Sequence, residues 1–109
     1  MAYVQAWLLA FIFTQMVEVP IYAVGLRVRI PAAFGASAIT HPIVWFVIFR
    51  FLPLPYVWLT VAAEAFAIAA EAAYFALLFH RRRAWLWSIL ANAASFGTGM
   101  LSRWLFGIP

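Results

Sequence analysis

Four stretches of almost uninterrupted apolar residues run along the chain, at 3–26, 31–52, 54–79 and 84–106. Each is long enough to cross a hydrocarbon core of about 30 Å as a helix. The breaks between them are short and marked by arginine and proline: Arg27-Val28-Arg29 before Pro31, Arg50 before Pro53-Leu54-Pro55, and His80-Arg81-Arg82-Arg83. These prolines suit helix starts and turns. Connections of so few residues make neighbouring helices antiparallel. The pattern therefore predicts an all-α fold, a single domain over residues 1–109 built as an integral membrane bundle of four antiparallel transmembrane helices.

Within each run the polar residues are few and share a stripe. At about 100° per residue, Thr60, Glu64 and Glu71 fall within about 40° on the third helix. Thr14 and Glu18 share a stripe on the first helix, with Gln15 at its edge, and Ser37 and His41 share one on the second, with Thr40 beside them. The fourth carries Ser88, Asn92, Ser95, Gly99 and Ser102, a seam of small and polar residues that lets helices approach and hydrogen-bond. The expectation is that this seam faces a neighbouring helix and that a leucine at Gly99 would overlap it.

Composition supports a bilayer as the solvent. Of 109 residues 69% are hydrophobic, mean hydropathy is +1.02, and charged residues make up 9%, which leaves nothing for a soluble domain. The net charge of +4 comes from seven arginines, with no lysine. These arginines lie at helix ends and form no basic face outside the membrane, so a nucleic-acid partner is not expected. Five arginines (27, 29, 81, 82, 83) fall on one side and two (50, 103) on the other. The positive-inside rule then predicts a plasma (bacterial inner) membrane protein with cytoplasmic first and third loops and both termini outside. The triple arginine reads as a topology signal held by anionic headgroups. Trp7, Trp58, Trp85, Trp87 and Trp104 lie near the helix ends, and Trp45 lies deeper as a packing residue. No cysteine is present, which excludes disulfides and thiol chemistry. The first run lacks a basic start and a small-residue cleavage site, and is expected to stay as a helix.

All three acidic residues, Glu18, Glu64 and Glu71, lie inside the apolar runs. A charged carboxylate at the bilayer centre costs at least about 2.5 kcal/mol, so such residues face a bundle interior and mark a binding site or relay. Counted from the cytoplasmic end at about 1.5 Å per residue, Glu18 is roughly 10 Å deep, Glu71 and Asn92 roughly 13 Å, and His41 roughly 15 to 18 Å. The candidate site is therefore Glu18, His41, Glu71 and Asn92 in one layer, with Glu64 two turns further out. Each also has an ordinary reading. Asn92 and Ser95 are the kind of residue that glues bundles together, and His41 would donate to a backbone carbonyl freed by Pro42.

The words Glu18-Val19-Pro20-Ile21-Tyr22, Thr40-His41-Pro42-Ile43-Val44-Trp45, Glu64-Ala65 with Glu71-Ala72, and Asn92-Ala93-Ala94-Ser95-Phe96 resemble a group of short uncharacterised bacterial four-helix membrane proteins. The resemblance covers most of the chain and implies the same helices and in-membrane polar residues, but no activity. Glu18 is similar to the membrane-embedded glutamate of small multidrug resistance transporters, whose third-helix pattern is missing here. Residues 92–99 resemble part of a fluoride-channel stretch, without the threonine-phenylalanine-serine filter of those channels. Both are analogies.

Three functions compete. The first is proton- or cation-linked transport through a site of Glu18, His41, Glu64, Glu71 and Asn92, in a homo-oligomer because four helices enclose little volume. The second is an accessory subunit docked against other membrane subunits, with His41 as a single ligand for haem or chlorophyll. The third is an intramembrane metalloenzyme with His41, Glu18 and Glu71 as ligands. No His-Glu-x-x-His or Gly-x-Ser-x-Gly motif is present, which argues against an enzyme.

Overall fold

The structure is a computed structural model and describes residues 2–107. Four helices follow one another: α1 (Tyr3–Gly25), α2 (Ile30–Phe51), α3 (Tyr56–Leu78) and α4 (Ala84–Phe106), with no strand among the described residues. Helix α1 packs along α2 and α4, α3 packs along α4, and α2 meets α3 to close the ring. The result is an all-α bundle with short connections. By length and composition α1, α2 and α3 are apolar enough to cross a membrane. Helix α4 is just as long, at 23 residues, but its serines, Asn92 and Thr98 dilute its apolar character.

The boundaries follow local chemistry. Pro31 sits in the first turn of α2, where a missing N–H costs nothing. Pro55 is the N-cap of α3, so Leu54 and Pro55 precede the helix where the apolar pattern had included them. Arg27 and His80 leave α1 and α3 with φ of 56° and 54°, the left-handed turn that ends a helix and sends the chain back. Both α2 and α3 also contain a π-helical turn, at Val44–Ile48 and Tyr74–Leu78. The apolar pattern could not announce these turns, because one extra residue per turn leaves composition unchanged.

Polarity runs inside out. Large apolar side chains such as Met16, Val24, Leu77 and Trp104 lie on the surface, with Val24 79% and Trp104 81% exposed. The interior holds small residues and nearly all the buried polar ones: Ala33, Ala36, Ala63, Ala67 and Ala91 beside Glu18, Ser37, Thr40, Glu71, Ser88 and Asn92. That distribution suits hydrocarbon outside and close helix contact within.

Packing is uneven along the bundle axis. The apolar core gathers at the end where α1 runs into α2 and α3 into α4, around Tyr22, Leu26, Val28, Ala33, Phe75 and Ala84. Tyr22 and Phe75 are fully buried, with ring centroids 4.4 Å apart. Arg81 binds the two loops at this end. Its Nε donates to the Leu26 carbonyl at 2.7 Å, and its terminal nitrogens donate to the Phe79 and Arg27 carbonyls at 2.8 and 3.2 Å. Expected only as a topology signal, Arg81 is also a structural clamp.

Candidate functional site: a carboxylate-floored cavity

From the opposite end a cavity of about 530 Å³ enters the bundle. Its four walls are the polar stripes. Helix α1 contributes Thr14 and Glu18, α2 contributes Ser37, Thr40 and His41, α3 contributes Thr60, Glu64 and Glu71, and α4 contributes Asn92, Ser95 and Gly99. All five sequence-derived candidates, Glu18, His41, Glu64, Glu71 and Asn92, therefore line one space.

Two carboxyl groups form the floor. Glu71 is 2% exposed and accepts from three donors: the Tyr22 hydroxyl at 2.5 Å, the Thr40 hydroxyl at 2.7 Å and the Asn92 amide at 3.2 Å. Glu18 is 1% exposed and accepts from the Ser37 hydroxyl at 2.5 Å and the Ser95 hydroxyl at 2.6 Å. The Ser95 oxygen also lies 3.2 Å from the Asn92 carbonyl oxygen, so Ser95 and Asn92 join the two carboxyls into one network. Glu18 and Glu71 are close enough to act on each other electrostatically. Every hydrogen-bond partner of the two among the described residues is neutral. Because hydroxyls accept as readily as they donate, this cage can satisfy a carboxylate or a carboxylic acid.

Tyr22 had no assigned role from sequence. Its signal was its spacing, four residues after Glu18 on one helical face, which carries it to the partner glutamate on α3. Asn92 and Ser95, expected as packing glue, hold the carboxyls as well. The packing role on α4 falls to Ser88, whose hydroxyl donates to the Ile68 carbonyl at 2.8 Å.

His41 stands apart from the network. Its Nε2 faces the Thr14 hydroxyl at 3.4 Å and its ring lies against Phe11 and Trp45, while Nδ1 is buried with no hydrogen-bond partner among the described residues. The expected bond to a carbonyl freed by Pro42 is not made, because the ring turns across the bundle toward α1. Among the described residues no three His, Asp or Glu side chains are grouped to hold a metal ion. The candidate ligand set His41, Glu18 and Glu71 is thus divided: hydroxyls and an amide occupy the carboxyls, and the histidine lies in the aromatic wall.

Glu64 differs from the other two glutamates. It is half-buried, lies on the cavity wall, and feels the charge of Glu71 with no hydrogen bond to its own carboxyl among the described residues. The mouth is aromatic and basic, formed by Tyr3, Trp45, Phe49 and Tyr56 with Arg50 and Arg103. Arg50 lies 5.6 Å from the Tyr3 ring centroid, and Arg103 donates to the Tyr56 hydroxyl at 3.2 Å. Tyr3 in turn donates to the Trp45 carbonyl, tying α1 to the π turn of α2.

The α4 seam divides at the same level. At Gly99 an added Cβ meets nothing within 4 Å, so the expected overlap with a neighbouring helix is wrong: this glycine faces the open cavity. The close approaches lie at Gly25, where a Cβ would come within 2.5 Å of the Trp87 ring, and at Gly35 against the Tyr74 hydroxyl. Comparison with family models, with curated proteins and with solved structures found no match, so the geometry of the bundle alone carries the functional argument.

Proposed function

We propose that this chain is a multi-pass membrane protein that takes up a proton or small cation at Glu18 and Glu71 and links it to transport, with Glu64 and His41 along the path. One observation carries the reading: two neighbouring buried carboxyl groups, hydrogen-bonded among the described residues to neutral groups alone, stand at the floor of a cavity that opens to one end of the bundle. A purely structural buried carboxylate is usually matched with a fixed cation, because leaving it unmatched is costly. A neutral cage leaves the charge free to be supplied and removed.

In this reading all four helices span the membrane, α4 turning its polar seam inward. The arginine bias puts the Arg27 and Arg81 loops in the cytoplasm, so the cavity opens outward and both termini lie outside. The lipid bilayer is the surrounding partner, a homo-oligomer or other membrane subunits complete the pathway, and a bacterial inner membrane follows from the resemblance of its motifs.

Purified protein in proteoliposomes, driven by a pH or cation gradient, tests the reading. Native protein moves the ion, while Glu18→Gln and Glu71→Gln remain folded and reduce flux at least tenfold. A chain that moves no proton or cation but co-purifies stoichiometrically with other membrane subunits supports the accessory-subunit reading instead.

A further inference from the structure

Glu64 and the arginines at the cavity mouth make no bond to the Glu18 and Glu71 carboxyls among the described residues, and their arrangement describes a ligand. Tyr56, Thr60 and Glu64 follow one another at four-residue steps on the cavity side of α3. At about 6 Å per step, Glu64 lies about 12 Å inward of Tyr56, whose hydroxyl holds Arg103. Thr60 between them is spoken for, donating to the Tyr56 carbonyl at 3.0 Å. The cavity thus presents cations at its rim and an unpaired carboxyl two turns inside.

A molecule with an acidic group outermost and an ammonium group innermost matches both. Phosphate on guanidinium is a strong planar pairing, and ammonium on carboxylate makes a charge-assisted hydrogen bond of about 2.8 Å. A two-carbon link holds the two groups apart, as the separate places of the rim arginines and Glu64 require.

The rest of the ligand is also described. An apolar groove of about 240 Å³ runs between α3 and α4, lined by Val57, Val61, Tyr56, Thr60, Phe96 and Met100. The last four also line the cavity, so the groove lies directly beside it. Val57 and Val61 are exposed on the outer surface, where hydrocarbon would lie. A head in the cavity therefore has a route for a chain leaving sideways between the helices.

We propose that the cavity binds the ethanolamine phosphate headgroup of a membrane lipid, ammonium on Glu64, phosphate on Arg50 and Arg103, and an acyl chain in the groove between α3 and α4. This site shares the cavity and Glu64 with the ion reading but uses neither Glu18 nor Glu71, so binding at it and flux through those carboxyls can fail separately.

The test uses the full chain in an uncharged maltoside detergent, with binding followed by tryptophan fluorescence and by thermal unfolding. The probes are lysophosphatidylethanolamine, lysophosphatidylglycerol (no ammonium), dodecylamine (no phosphate) and O-phosphoethanolamine (no chain). The first should bind at least tenfold more tightly than each of the others. Glu64→Gln should remove the preference over lysophosphatidylglycerol, and Arg50→Gln with Arg103→Gln the preference over dodecylamine. Both variants change groups at the cavity wall or mouth and should unfold like the native chain, while Glu18→Gln leaves the preference intact. Equal binding of all probes, an unchanged preference in the Glu64 or arginine variants, or O-phosphoethanolamine binding as well as the lysolipid overturns the lipid assignment. None of these results bears on ion flux through Glu18 and Glu71.

Discussion

The two ends of the bundle are built from the same four helices and do opposite things. At the Arg81 end, aromatic and aliphatic side chains fill the axis and one guanidinium ties two loops together. At the Arg103 end the helices enclose open space, and the arginines meet aromatic side chains. Glu18 and Glu71 lie where one regime gives way to the other. Apolar helices in lipid gain little from hydrophobic association, so the closed end depends on close backbone approach and hydrogen bonds, whereas the open end can forgo both.

The glycines give the sharpest way to break this contrast. Gly25→Leu drives a side chain into the Trp87 ring and should cost about 3 kcal/mol in denaturant unfolding. Gly99→Leu should instead raise stability by up to about 1 kcal/mol, because it improves helix propensity and projects into empty space. Equal losses at both positions would mean that the open end is packed.

Among the glutamates the order should be Glu71→Ala, then Glu71→Gln, then Glu64→Gln. The first removes the shared acceptor of three buried donors and should cost about 3 kcal/mol; the second keeps one acceptor oxygen and should cost about 1 kcal/mol. Glu64→Gln should leave the unfolding midpoint unchanged, since no partner among the described residues depends on it.

The arginines give the smallest contrast. Arg81→Ala removes three bonds to loop carbonyls and should cost about 1 to 2 kcal/mol. Arg50→Ala should stay within about 0.5 kcal/mol of the native value, as an exposed side chain with one aromatic neighbour. If the two substitutions cost the same, Arg81 is not a clamp.

Much of this was legible in the chain. Apolar runs and their proline and arginine breaks gave the helices to within two residues, because lipid solvation and backbone satisfaction leave few alternatives. The four polar stripes were visible by angle alone, and the depth count placed Glu71 level with Asn92, which do bond. What stayed hidden depended on rotation and distance between helices. Nothing in the order of residues said that Ser95 would reach Glu18, or that Tyr22 would cross to Glu71. The seam on α4 misled at Gly99, since a small residue serves equally to admit a helix or to line a cavity. Only the neighbouring backbone decides which.

The central claim is that the bundle is open from the Arg103 end down to the buried carboxyls and closed at the Arg81 end. The cysteine-free chain allows a direct test by single-cysteine reactivity toward a small charged methanethiosulfonate in the reconstituted protein. Thr60→Cys and Gly99→Cys should react at least tenfold faster than Ala33→Cys and Ala84→Cys, with the reagent supplied to both sides. Comparable rates at all four positions, or faster reaction at Ala33→Cys and Ala84→Cys, would contradict it.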